Sequence, residues 1–476
     1  MKKSLLMLAV LTAMVATSCR KIEVDGDGNG NNNNGGGNNN GNEVIIEGTI
    51  TADKTLDDPS KKYILRNVVY VTNGATFTVK PGITVYGELA TKGTLVITRG
   101  AKINAEGTAD KPIVFTSQAV EANRRAGDWG GIVVLGKAST NSSFNGKQGI
   151  GEIEGNVNNA QGYGLYGGED TPNDNDNSGI IKYVRIEYAG FAFLPDKELN
   201  SLTLGAVGKG TTIEYVQISY ALDDAIECFG GNVNLKHIVA YKTLDDDFDT
   251  DNGYSGKVQF GIVLRDSTRA DVSKVEGFES DNDANGTLLT PQTGATYSNM
   301  TVLGPRAKTN NVGNSLFLAG AQIRRNSSIS IFNSVIAGWP TGLLIDDSKG
   351  NPTSANITAN KLVIKNVTIS GCALPLAYAK NATGVDWGLA AMTTWFNEAA
   401  KGNAILATNE ELQLGAPFNY LAPNFTPQTG SPLIAAGAAD FTDAKIATGF
   451  DVVTYRGAVA PTGAESTWYQ GWTSFK

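Results

Sequence analysis

A single histidine and three cysteines in a chain of 476 residues cannot build a multi-histidine or cysteine-rich metal centre, nor a disulfide framework. Positive charge is scarce too: 39 Lys and Arg face 47 Asp and Glu, a net of −8, and no basic cluster stands out. That balance argues against nucleic acid as a partner. Helical periodicity is almost missing, and no apolar run reaches the ~18 residues of a membrane span. Glycine, at 56 residues, is in excess and favours many turns over long helices. Hydrophobic residues at 41 % still supply a sizeable core, so general disorder is excluded.

The cellular address is written at the N-terminus. Lys2 and Lys3 precede the apolar run Leu5 to Val15, the layout of a secretory signal. Ala16, Thr17 and Ser18 then lead into Cys19, which resembles the lipobox of bacterial lipoproteins. The resemblance implies a signal peptide over 1–18, acylation of Cys19 and a membrane held through that lipid. Cleavage there leaves 37 cationic against 47 acidic residues, a net of −10. Residues 25–42 are almost entirely Gly, Asn and Asp and cannot bury apolar area, so 19–42 reads as a flexible tether.

From residue 43 onward short β-rich runs alternate with turn residues, among them Val68 to Val71, Thr76 to Val79, Ile83 to Tyr86, Thr94 to Thr98 and Ile113 to Thr116. An internal repeat decides the architecture. Residues 213–231 align without gaps on residues 235–253, an offset of 22, and the core of the pattern recurs at Asn299, Asn333 and Asn366 with offsets of 34 and 33. A unit of 22 residues cannot close a core alone; stacking like on like buries it. A β-propeller blade needs ~40 to 50 residues, and the Leu/Asn signature of leucine-rich repeats is missing. The pattern therefore predicts an all-β, right-handed parallel β-helix over 43–380 with loops inserted in its longer coils. Residues 381–476 read as C-terminal coils and a cap. A helix is expected near 386–402, with Leu389, Met392, Trp395, Phe396 and Ala399 on one face and Gly402 as its stop. Trp468 and Trp472 are expected to pack under that cap.

Several segments resemble, as a set, a family of Bacteroidota β-helix lipoproteins: GTADKPIVFTS (107–117), GDWGGIVVLGKA (127–138), IIKYVRIEYAG (180–190), LDDAIECFGG (222–231), GFESDND (277–283), residues 324–346 and YRGA (455–458). The likeness covers residues 60–476. It implies an outer-membrane lipoprotein of β-helix fold exposed at the cell surface, and it carries no chemistry.

Chemistry enters through stacked acids. In the aligned coils Asp223 lies over Asp245, Asp224 over Asp246 and Glu227 over Asp249, with coils about 4.8 Å apart. Carboxylates so close repel unless a cation neutralises them or some stay protonated. An oxygen-only set of this size selects Ca²⁺ over Mg²⁺, with Asp223, Asp224, Asp245, Asp246 and Asp249 as the expected ligands. The same run resembles the calcium coil of family 9 pectate lyases. Asp245, Asp246 and Asp249 match the DDxxD spacing of that coil, and Asp223 or Asp224 matches the aspartate on the coil before. Those enzymes use a lysine base, and Lys274 is the nearest match, placed one coil on by the 22-residue register from Asp249 to 271. Arg265 and Arg269 lie close in sequence, and no motif singles one cation out.

Other features read as structural. Three loops starting at Asp25, Asp174 and Asp281 follow D-x-D-x-[NS]-G, but position 12 holds Gly36, Arg185 and Gln292 where an EF-hand needs Glu. His237 shares its coil position with Tyr183, Tyr215 and the recurring asparagines, a stacked ladder. Cys228 and Cys372 read as small buried residues.

Two functions remain. One is a non-catalytic binding or structural module that presents its long face to a glycan or to a nutrient-uptake partner. The other is a lyase using Ca²⁺ to acidify the C5 proton of a uronate. A lyase cleft for a polyanion needs a cationic groove, and the net charge of this chain favours the binding module. The lipobox reading carries its own test: Cys19→Ser is expected to move the protein from the membrane to the soluble fraction, and a variant that stays with the membrane rules out the lipid anchor.

Overall fold

The structure, a computed structural model, describes residues 42–194, 197–306, 314–381 and 386–476. The expected lipidation at Cys19, the signal peptide and nearly all of the tether lie outside the described residues. From Asn42 onward the chain forms one compact unit.

Twenty-seven of the described strands join in a single sheet whose pairings are all parallel, wound as a right-handed parallel β-helix. The 22-residue offset read in the sequence is the register of the solenoid. Ile213 pairs with Leu235, Val216 with Ile238, Ile218 with Ala240, and Ile226 with Phe248. One ladder climbs from Gly179–Glu187 through Thr212–Ser219, Asn234–Tyr241, Lys257–Leu264 and Thr296–Leu303 to Ala404–Leu406. A second climbs from Gly131–Leu135 through Leu202–Gly205, Ile226–Phe229, Phe248–Asp251 and Phe278–Ser280 to Phe317–Arg324. Side chains alternate between the faces of each strand. Ile226, Cys228, Phe248 and Phe278 therefore line the continuous apolar core, while Glu227, Asp249 and Glu279 go to the outer face.

Within the first ladder each coil bends at one residue in the left-handed region: Tyr183, Tyr215, His237, Phe260, Asn299, Asn333 and Asn366 all have φ between 49° and 61°. For a residue with a Cβ this geometry costs on the order of 1–3 kcal/mol, and Asn tolerates it best. Stacking offsets the cost where rings stand in for Asn. Ring centroids lie 4.4 Å apart from Tyr183 to Tyr215, 4.3 Å from Tyr215 to His237 and 5.0 Å from His237 to Phe260.

The C-terminal segment folds back along this ladder as a strap. Amide side chains of the ladder take the place of a neighbouring strand, each donating to a strap carbonyl and accepting from a strap N–H. Gln217 does so with Ser474, Gln259 with Asp451, and Asn333 with Asp440. Trp468 and Trp472 set their edges against Tyr215, and Trp472 is fully buried. Both indoles thus pack on the aromatic ladder and not under the terminal helix, a correction to the sequence reading. The helix itself spans Leu389–Phe396, with a 3-10 turn at Ala399–Lys401 ended by Gly402 at φ 61°. Met392, Trp395 and Phe396 cover the core, whereas Leu389 is exposed. A five-residue helix, Ser354–Thr358, gave no sequence signal; it starts where Asp347 accepts from the backbone N–H and the hydroxyl of Ser354.

Removing the anchor of the strap is expected to destabilise the whole solenoid. Trp472→Ala deletes a fully buried indole and should cost about 3–5 kcal/mol in denaturant unfolding. A midpoint unchanged from wild type would mean that the strap is only peripheral.

Candidate functional site

The acids stack on the outer face of the second ladder and on the turn that leads into it. Glu227 pairs in register with Asp249, Asp249 with Glu279, and Glu279 with Gln322. At the turn the side chains climb as a staircase. Asp224 Oδ1 accepts from the N–H of Asp246 at 2.9 Å, and Asp246 Oδ1 accepts from the N–H of Glu276 at 2.5 Å.

Among the described residues three sets of carboxylate oxygens converge, each within 4.8 Å: Asp223, Asp224 and Asp245; Asp224, Glu227 and Asp249; and Asp246, Glu276 and Glu279. The five predicted ligands are therefore close but do not meet at one point. Asp223, Asp224 and Asp245 converge, Asp249 joins through Asp224 and Glu227, and Asp246 turns to the next coil. Glu227 brings its carboxylate in beside Asp249, held by the amide of Asn200 at 2.5 Å. Asp249 Oδ1 is buried with no hydrogen-bond partner. Buried oxygens without donors, in an all-oxygen set, are what a hard cation satisfies, so these residues fit Ca²⁺.

Beyond Asp249 the 22-residue register breaks. A loop inserted after Leu264 makes the next step 30 residues, so Asp249 sits beside Glu279 and not beside position 271. Only the pairing itself reveals Glu276 and Glu279 as members of the face. The same insertion overturns the placement of Lys274 one coil beyond Asp249: its side chain is exposed, on the segment that ends the loop. Arg265 is unavailable, fully buried and paired with Asp247 at 3.0 Å, its guanidinium also donating to the carbonyls of Thr243 and Asp245. Arg269 lies over the ring of Tyr220. The cations that do reach the acidic face, Arg324 and Arg325, lie 75 or more residues from the DDxxD run. Arg324 holds Glu279 at 2.5 Å and Asp281 at 2.9 Å, and Arg325 holds Asp281 at 2.5 Å.

The loop at Asp281 is satisfied from within: besides those arginines, Asp283 accepts from the backbone of Asn285 and Thr287. The Asp174 loop caps the N–H of Ser139, and the copy at Asp25 lies outside the described residues. His237 is sandwiched between Tyr215 and Phe260 with Nε2 3.0 Å from Glu465, a structural position. Cys228 and Cys372 are free and buried.

Burial sets the protonation of the face. It pushes the carboxyls of Asp245 and Asp249 up to about 7, with further lift from Asp271 and Glu276 for the first and from Asp281 for the second. Asp223, Asp224, Glu227 and Asp246 go well above the usual carboxylate range, again through burial first and neighbouring acids second.

The class that the fold defines is a parallel β-helix, here with an acid-lined turn on its outer face. The family model for a pectate-lyase like beta helix domain matches residues 48–411, and the chain belongs to that family. Searches of curated proteins and of solved structures find no match.

The raised carboxyls give a signed pH dependence. Between about pH 4 and 7 the folded face keeps protons that the unfolded chain has released, so folding takes up protons and stability falls as pH rises through this window. In chelator, the melting temperature should be several degrees higher at pH 5 than at pH 8, and Ca²⁺ should flatten the slope. A melting temperature that rises with pH in chelator would show the face to be ionised and paired by other means.

Proposed function

We propose that this protein is a non-catalytic glycan-binding lipoprotein of the cell envelope. In this reading its acidic face holds Ca²⁺ through Asp223, Asp224, Asp245 and Asp249, with Glu227, and offers the ion to the carboxylates of an acidic polysaccharide. The observation that carries it is the convergence of carboxylates with buried, partnerless oxygens. A cation shared between protein and polymer explains how a mature chain with 37 cationic and 47 acidic residues, a net of −10, can hold a polyanion. Family membership supports a role tied to polysaccharide. The lipobox at Cys19 and the tether behind it support an outer-membrane anchor with the solenoid held at the cell surface, where a nutrient-uptake system is the natural partner.

Among the described residues the lyase alternative has no cationic side chain set up as its base. Ca²⁺ can stabilise charge developing on a uronate, but a side chain must still take the C5 proton. Arg324 is held firmly protonated by Glu279 and Asp281. Lys274 has its side chain in water at the end of the inserted loop, one coil off the position the repeat assigned it.

Affinity electrophoresis in gels containing polygalacturonate or alginate tests the proposal. Retardation is expected in Ca²⁺, lost in chelator and reduced at least tenfold in Asp223→Asn/Asp245→Asn. Incubation with the same polymers should give no absorbance growth at 235 nm. Growth that disappears in Lys274→Ala would overturn the binding module in favour of the lyase, and absence of retardation in Ca²⁺ would remove the glycan ligand.

A further inference from the structure

Glu276 and Glu279 lie one coil beyond the site just described, Asp246 reaches up to them from its own turn, and none of the three belongs to the two other carboxylate sets. Asp246 is 5 % and Glu276 1 % exposed. Glu276 Oε1 is buried among these carboxylates with no hydrogen-bond partner. The nearby cations do not supply what is missing. Arg265 is committed to Asp247, and its contact with Glu276 is to the backbone carbonyl at 3.3 Å. Arg324 divides its charge between Glu279 and Asp281, and Arg325 goes to Asp281. Lys274, the remaining cation near Glu276, has its side chain exposed. When ionised, Asp246, Glu276, Glu279 and Asp281 thus outnumber the two guanidiniums they face, those of Arg324 and Arg325, by two.

We propose that Asp246, Glu276 and Glu279 form a second divalent-cation site, independent of the first and suited to Ca²⁺. One divalent ion matches the two charges the arginines leave over. Three carboxylates and no nitrogen or sulfur ligand suit a hard cation, and an all-protein cage suits Ca²⁺ better than Mg²⁺, which usually keeps several of its waters. The site ties the Asp246 turn to the strand Phe278–Ser280 across the inserted loop, where the regular 22-residue stacking is interrupted. Its role is therefore to fix the register of the face at the coil where sequence periodicity no longer does so.

Two measurements on the full chain test this without any glycan. Crystals grown in strontium chloride, with Sr²⁺ as a calcium surrogate, should show an anomalous peak between the carboxylates of Asp246, Glu276 and Glu279. Calorimetric titration of chelator-treated protein with Ca²⁺ should give at least two equivalents. Glu276→Gln should lose one of them, and Asp223→Asn/Asp245→Asn should keep that one. A saturated strontium map with a peak only at Asp223, Asp224 and Asp245 overturns the second site and leaves the first standing. An unchanged stoichiometry in Glu276→Gln overturns it equally. Should that variant fail to fold, the strontium map of the wild type decides.

Discussion

Coil-on-coil stacking at about 4.8 Å governs this molecule, because it places each residue directly above its counterpart one turn earlier. For apolar positions the consequence is favourable: Ile226 over Phe248 over Phe278 extends one core through the solenoid. At the bends it converts a backbone cost into a column of stacked rings and then of asparagines. For acids the same geometry is adverse. Glu227, Asp249 and Glu279 cannot spread apart without breaking the ladder that carries the core residues between them.

The strap follows from the same constraint. A ladder that repeats an amide on its outer face offers a donor and an acceptor at intervals matched to an extended chain, and Ser474, Asp451 and Asp440 each fill one such pair. The chain thereby buries the aromatic face of the ladder under its own C-terminal segment. That face is therefore covered, and its rings are not open to a ligand.

Sequence periodicity carried the fold as far as the periodicity itself lasted. The gapless repeat from Ile213 to Gly253 became register residue for residue, and the longer offsets at Asn299, Asn333 and Asn366 became the same bend in larger coils. Five carboxylates of the face were legible for the same reason. Glu276 and Glu279 were not, because the inserted loop shifts their coil from a step of 22 to one of 30, and a loop length sets no phase. Arg324 and Arg325 were invisible as partners of the face, since long-range pairing depends on the accumulated register of every coil between. The strap left no trace in the pattern because its partners are single amides spaced by whole coils.

The way this chain treats its other buried charges bears on what the acidic face is for. Asp247 is as buried as its neighbours and its oxygens likewise make no hydrogen bond, yet Arg265 stands 3.0 Å away as its counter-charge and spends its remaining donors on carbonyls. Asp281 receives two arginines. The fold can therefore place a guanidinium against an acid on this side of the solenoid. An arginine beside Asp249 or Glu276 would relieve the penalty of a buried carboxylate, which amounts to several kcal/mol per ion when unpaired. The chain leaves Asp249 Oδ1 and Glu276 Oε1 without partners instead. With protons alone to neutralise it, such a face loses stability as pH rises toward 7. A cation removes that dependence and returns the energy on binding, because a ligand that binds only the folded state stabilises it by RT ln(1 + [L]/Kd). In the proposed reading, the unmatched charge makes the stability of this face answer to calcium, as a face matched internally by arginines would not.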